Sequence, residues 1–416
     1  MAEKKKDAKK RLLRDGERQR KDGRYEYRYK DVHGETRSIY SWRLVESDPT
    51  PAGKRHCVPL RDLENGILEQ EVYGLDVHKA ATMTLNEAFD WYVECKPKWK
   101  PTTRALRKDM YDRYVRDTFG RQRVGDIRNS HIKHLYIKLQ RERGINIGSI
   151  EVLHETLHPI FEGLVDDDIL KKNPANKAMR DVEVNPSIKR HALSMEQQHL
   201  LLDYIETSPR QQYWRPLIVF LLGTGARIGE AGALRWKHVD FERGVVNIEN
   251  SVVVYKNDSG QRVTEISSTK TEAGTRSIPM FGDVRQVLLE LREAAQFRCQ
   301  GRKLDNEFVF VTRRGSMLVP SYGSIITSYI CENYNKQEMA RAEKEQREPV
   351  LMPEFTPHSL RHTFCTRICE QGMNIKVIQY VMGHTDIHTT MDIYNEVTGS
   401  FGEEEFMKYD GLIRVS

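Results

Sequence analysis

The stretch from Thr356 to Tyr394 carries the residue types of a phosphodiester-cleaving centre. In Thr356-Pro357-His358-Ser359-Leu360-Arg361-His362 the proline suits the first turn of a helix, where its missing N–H would have had no intrahelical partner. His358 and Arg361 then stand one turn apart on one face, an imidazole beside a guanidinium. Gly372 can end this helix in the left-handed conformation, and Ile375, Ile378 and Val381 start a second apolar stripe that stops at Gly383. His384 follows directly, and a polar stretch leads to Tyr394, a phenol flanked by Thr and Asp. Upstream, Leu222-Gly223-Thr224-Gly225-Ala226-Arg227-Ile228-Gly229-Glu230 joins an apolar helix to a Gly-Thr-Gly turn. Arg227 opens the next helix, whose apolar face continues through Leu234 and Trp236, and sets a cation where backbone N–H groups already favour anions. Taken singly, a tyrosine is a core side chain, an arginine a solvated charge, and His358 with His362 half a zinc site. The zinc reading needs Glu at position 359, and Ser stands there.

Arg227, Lys270, His358-x-x-Arg361, Gly383-His384 and Tyr394, in that order and spacing, resemble the signature of the tyrosine recombinases, or phage-type integrases. Gln19-Arg20-Lys21-Asp22-Gly23-Arg24-Tyr25, Tyr40-Ser41-Trp42 and Pro51-Ala52-Gly53-Lys54-Arg55 resemble the arm-binding domain of integrases from conjugative transposons, so the resemblance spans nearly the whole chain. It implies a site-specific recombinase that integrates and excises a conjugative transposon through a 3′-phosphotyrosyl intermediate. Arg227 and Arg361 would grip the phosphate oxygens, Tyr394 would attack, and His358 would take the phenol proton. Lys270, in the Thr-Lys-Thr context of the family's hairpin, would protonate the leaving 5′ oxygen. His384 would hydrogen-bond the phosphate or phenol, and Glu230 would steady Arg227. Arg20, Lys21, Arg24, Tyr40, Trp42 and Lys54 would meet DNA. The resemblance further implies double-stranded DNA at core, arm and target sites, a homotetramer on DNA, an excisionase and a host DNA-bending factor. No cofactor or metal is implied. One departure is that Tyr394 is followed by Asn395-Glu396, where the family often has His two residues past the nucleophile.

Lys+Arg 66 against Asp+Glu 60 gives a formal charge of +6, only mildly basic for 416 residues. Lys4-Lys5-Lys6 and Lys9-Lys10-Arg11 concentrate charge in what reads as a flexible basic arm. No window approaches a membrane span and no signal peptide opens the chain, so the cytoplasm is expected. Six scattered cysteines form neither a disulfide framework nor a zinc knuckle, and no P-loop appears.

The elements that must hold these residues read as a multidomain α+β protein: a small three-stranded sheet plus helix at the N-terminus, an all-α core-binding domain, and a mixed, mainly-α catalytic domain with a small antiparallel sheet. The expected ranges are 1–75, 82–180 and 190–416. Tyr25, Tyr27 and Tyr29 alternate with charges as a strand does, and Leu60, Leu63, Ile67 and Leu68 give a covering helix. Residues 74–81 and 181–190 read as linkers. Ile150, Leu153, Leu157, Phe161 and Leu164 mark a helix in which Pro159 predicts a kink or break, and a preceding helix is capped by Ser130. Lys96, Lys98, Lys100, Arg104, Arg107 and Lys108 offer a DNA face. Residues 335–348 read as an exposed insert or frayed helix, and the segment past Tyr394 as a tail that docks on a neighbouring protomer. A non-cutting DNA-binding regulator on the same fold and a type IB topoisomerase are the competing readings.

Overall fold

Alternation at the N-terminus becomes three short antiparallel strands, β1 Glu17–Gln19, β2 Tyr25–Lys30 and β3 Thr36–Ser41, with Tyr25 opposite Ser41 and Glu26 opposite Tyr40. The structure, a computed structural model, describes residues 5–30, 36–73, 76–180, 182, 192–268, 274–298 and 307–398. Two units are distinguished, Met1–Ser187 and Ile188–Ser416.

In the first unit, helix α1 (Leu60–Tyr73) lies on the sheet, and Leu60 joins Tyr25 and Leu44 in a small core. With so few buried apolar groups among the described residues, ion pairs take on much of the work. The basic run expected to be a flexible arm is part of this network. Lys9 and Arg11 donate to Asp48 at 2.8 and 2.9 Å, and Arg11 also pairs with Asp7 at 2.8 Å. Burial alone would raise the Asp48 carboxyl, but the bonds from Arg11 and Lys9 hold it well below the usual carboxylate range. A second buried cluster joins β1 to α1. Glu17 accepts from Arg61 Nε at 3.0 Å and from the Arg14 N–H at 2.6 Å. Glu64 lies against the Glu17 carboxyl and receives a long 3.4 Å bond from Arg14, and among the described residues no donor meets its buried Oε1. Burial and the adjoining Glu17 carboxylate push the Glu64 carboxyl up to about 8.

The interval 74–81, expected to be a linker, instead contributes helix α2 (Val77–Thr82), started by the Asp76 side chain accepting from the Lys79 N–H. Four longer helices follow, α3 Leu85–Glu94, α4 Pro101–Tyr111, α5 Asn129–Arg143 and α6 Ile147–Asp166. Arg128 rather than Ser130 occupies the cap position of α5. Ile150, Leu153, Leu157, Phe161 and Leu164 are all buried, as their spacing requires. Of the kink or break expected at Pro159, the break does not occur, since α6 runs through it. Proline removes the N–H that would have bonded the Glu155 carbonyl, and the Arg107 guanidinium donates to that carbonyl instead. Arg107 also stacks over Trp99 at 5.1 Å, so this member of the expected DNA face has a structural task.

The second unit runs α7 Met195–Thr207, α8 Arg215–Thr224, α9 Ile228–Ala233, β4 Val239–Asp240, β5 Val245–Ile248, β6 Asn250–Lys256, β7 Arg262–Ser268 and β8 Arg276–Pro279. Helices α10 Gly282–Arg298, α11 Pro320–Glu345, α12 Pro357–Glu370, α13 Ile375–Met382 and α14 His388–Thr398 complete it. Strands β4, β5 and β8 make one antiparallel sheet and β6 with β7 a hairpin. Residues 335–348 are mostly exposed, as expected, but they are not a frayed end. Most of them form the last turns of α11, where buried Glu338 accepts from Arg347 at 2.5 Å and from the Val350 N–H at 3.1 Å. The expected linker 181–190, apart from Val182, and the tail from residue 399 lie outside the described residues. Among the described residues no helix is long and apolar enough to cross a membrane.

Two predictions follow from the first unit. The folded chain keeps the Glu64 proton up to about 8, whereas an ordinary Glu loses it near 4.5, so stability falls as pH rises through that window. Glu64→Gln, which mimics the protonated acid, should raise the melting temperature at pH 8.5 by on the order of 5 °C and flatten its pH dependence. Arg107→Ala should cost about 0.5–1.5 kcal/mol by removing the donor to the Glu155 carbonyl. Adding Pro159→Ala, which restores an N–H, should recover most of that loss in urea titrations.

Candidate active site

Side chains far apart in the sequence meet at the end of α13. Gly383, at φ 62°, ends this helix in the left-handed conformation, and the last carbonyls of a helix lack intrahelical partners. Arg361 of α12 donates Nη2 to the Met382 carbonyl, and Arg227 donates Nη2 to the next one, Gly383 O, at 3.2 Å. Arg361 Nη1 also reaches Gly225 O at 2.6 Å. Gly225, at φ 61°, ends α8 in the same way, and a Cβ there would overlap the Phe364 ring. Main-chain carbonyls at two glycine turns therefore fix the two guanidinium groups side by side. Arg361 is buried by its start in a well-capped helix, where the Thr356 hydroxyl accepts the Ser359 N–H at 3.2 Å.

Glu230 organises the positive side chains around it. It is 4 % exposed, accepts from Arg227 Nη1 at 3.0 Å, and takes a bidentate pair from Arg276 at 3.1 and 2.8 Å. Burial would raise its carboxyl, but the Arg276 fork and the charges of Arg276 and Arg227 hold it below the usual range. Glu230 also accepts the Arg227 N–H at 2.8 Å, so the chain's own carboxylate takes a donor at the start of α9 that was expected to face an external anion. That helix also ends at Ala233 instead of continuing through Trp236. Two guanidinium groups thus bond one carboxylate whose charge a third, that of Arg361, also feels, and positive charge is left over. Burial and the Arg227 charge pull the Arg361 guanidinium down to about 9, still protonated at neutral pH. The same surplus acts on His384. Burial and then the charges of Arg361 and Arg227 bring its imidazole down to about 3, so it is neutral at physiological pH.

His384 Nδ1 lies 2.9 Å from the hydroxyl of buried Thr390, which ties the imidazole to α14. Tyr394 stands one turn beyond Thr390 on the same face of that helix, placed by its main chain alone. Helix α14 packs on α12 and α13, so the three elements bearing His358, Arg361, His384 and Tyr394 form one assembly. His358 is exposed in the first turn of α12, its ring 4.9 Å from that of His362 in an edge-on arrangement. Among the described residues no group of three or more His, Cys, Asp or Glu is placed to hold a metal ion. Lys270, between β7 and β8, lies outside the described residues.

Sequence reasoning missed Arg276. The signal was available in the β8 alternation, where Arg276 shares the inward register of Ile278, and a buried charge at such a position demands a partner.

In the N-terminal sheet five of the six expected DNA-binding side chains cluster. Arg20 and Arg24 lie over the Tyr40 ring at 5.4 and 5.5 Å, and Arg24 and Lys54 over Trp42 at 5.7 and 4.9 Å. Lys21 is exposed in the turn between β1 and β2.

Residues 191–400 match the phage integrase family, residues 1–71 the DNA binding domain of Tn916 integrase, and residues 84–140 the phage integrase N-terminal SAM-like domain. The chain is 33% identical over 407 residues to the transposase from transposon Tn1545 of Streptococcus agalactiae, covering 96% of this chain and 95% of the relative. It is 32% identical over the same length, with the same coverage, to the transposase from transposon Tn916 of Enterococcus faecalis. Among solved structures it is similar to the Tn1549 transposon integrase in complex with transposon right end DNA, with 26% identity and a TM-score of 0.68 over 79% of this chain and 100% of that one. With three matching segments in the family's order and relatives alike over nearly its full length, the chain belongs to the phage integrase family and is a tyrosine recombinase close to the integrases of conjugative transposons.

Proposed function

We propose that this recombinase cleaves and rejoins DNA at the ends of a conjugative transposon, with Tyr394 as nucleophile. The observation that carries the reading is the pairing of Arg227 and Arg361 on the consecutive carbonyls of Gly383 and Met382, beside a neutral His384. A phosphodiester is the anion such a pair suits, because planar forks match its non-bridging oxygens and the surplus positive charge offsets its negative one. The phenol of Tyr394 attacks phosphorus and His358 accepts its proton, since a free phenol titrates near ~10. Lys270 gives a proton to the departing 5′ oxygen. With Nδ1 turned to the Thr390 hydroxyl, His384 offers Nε2–H to a phosphate oxygen as a neutral donor, while Glu230 holds Arg227 in place. The 3′-phosphotyrosyl bond conserves the energy of the bond it replaces, so the free 5′-hydroxyl of another strand can reverse the step without a nucleotide or a metal.

Residues 1–75 are assigned to arm sites, through Arg20, Lys21, Arg24, Tyr40, Trp42 and Lys54, residues 82–180 to core sites, and residues 190–416 to chemistry. The Tn1549 integrase is solved on transposon right end DNA, which supports element ends as the substrate. A homotetramer on DNA, an excisionase and a host DNA-bending factor complete the proposed assembly, acting in the bacterial cytoplasm.

Incubation with a nicked duplex, from which the short fragment bearing the freed 5′-hydroxyl diffuses away, should trap an SDS-resistant protein–DNA adduct. Tyr394→Phe should give none, and Arg227→Lys should slow its formation by roughly 100-fold. An adduct persisting in Tyr394→Phe would show that another residue attacks. DNA binding without any adduct would favour a non-cutting regulator, and relaxation of supercoils without recombinant product a type IB topoisomerase.

A further inference from the structure

We propose that Arg276 is a positioning residue for the cleavage step, a buried clamp that sets Arg227 and His384 without touching DNA. Its side chain is 0% exposed, so a phosphate cannot reach it. Four donor contacts go to three separate pieces of the site. Nη1 and Nη2 hold both oxygens of Glu230 on α9, at 3.1 and 2.8 Å. Nε donates to Val381 O at 2.6 Å, in the last turn of α13 and just before the carbonyls that anchor Arg361 and Arg227. Nη1 also donates to Gly274 O at 3.1 Å, just before β8.

The contacts to Glu230 and Val381 constrain groups proposed to act on the phosphate. Glu230 bonds Arg227 through both its side chain and its N–H, so the Arg276 fork fixes the carboxylate that in turn fixes Arg227. The bond to Val381 O holds the end of α13, from which His384 follows. Lysine could keep the charge but not the geometry, since one ammonium cannot present a planar fork to a carboxylate while also reaching two carbonyls. Misplacement of a phosphate-binding group by a fraction of an ångström is felt in rate more than in binding.

The inference rests on the reading that Arg227 and His384 act on the scissile phosphate, and the test separates the two. Arg276→Lys in the full chain is compared with the unaltered protein for thermal melting, duplex binding and single-turnover adduct formation on the nicked duplex. The same rates are measured on a duplex with a neutral methylphosphonate at the scissile position. The variant should bind DNA within about twofold of the unaltered chain and cleave roughly 100-fold more slowly. On the methylphosphonate, where less charge needs neutralising, the deficit should shrink at least about tenfold. Should Arg276→Lys fail to fold, Arg276→Gln, whose amide still donates to Glu230 and leaves that carboxylate paired with Arg227, is measured in the same way. It should show the same slow cleavage. Full-rate cleavage by either folded variant, or an equal deficit on both substrates, would overturn the role of Arg276. Absence of an adduct from the unaltered chain would instead overturn the cleavage reading, and this proposal with it.

Discussion

An excess of positive charge inside a packed core is the constraint on which the catalytic half depends. Arg227, Arg276 and Arg361 gather around the single carboxylate of Glu230, and two of the three guanidinium groups are almost fully buried. Charges out of water are tolerated only with close partners. Here the partners are one carboxylate and a set of carbonyls at helix ends: Gly225 closing α8, and Val381, Met382 and Gly383 closing α13. Helix C-termini carry partial negative charge and unpaired oxygens, so they suit cations. The fold therefore spends two helix endings on presenting arginines, and the left-handed glycines at those endings let the carbonyls come so close.

The same charge excess sets the chemistry. It keeps His384 neutral, which makes the imidazole a hydrogen-bond donor that does not add a further cation. Arg361, already drawn down by burial and by Arg227, gains from any anion that arrives. A phosphodiester entering the cluster relieves repulsion between groups fixed in advance, which is how preorganised sites lower a barrier without reorganising during the reaction. The N-terminal sheet uses its cations differently. There Arg20, Arg24 and Lys54 lie on aromatic faces at the surface, ordered but still exposed enough to exchange partners.

Much of this was legible in the sequence because local rules and chemistry agreed. Pro357 after a capping threonine, Gly383 after an apolar stripe, and the stripe from Ile150 to Leu164 each announce an element whose reason is local. What escaped depends on partners distant in the chain. Pro159 reads as a helix breaker until Arg107 supplies the missing donor. The charged end of α11 reads as frayed until Glu338 is seen to gather Arg347 and Val350. Lys9 and Arg11 read as a free arm until Asp48 claims both. Arg276 reads as one more basic residue until Glu230, on another element, takes its fork. In every case a charge acquires its role from a tertiary contact that no periodicity encodes.

The most direct measurement is the protonation of His384, followed by NMR across a pH titration of the chain free and bound to duplex DNA containing the scissile phosphate. In the free chain the imidazole should remain neutral toward about 3, and DNA should raise that value because the phosphate offsets the charges of Arg361 and Arg227. Titration near the ordinary ~6.5 in the free chain, unmoved by DNA, would contradict the convergence of arginines and imidazole on one phosphate.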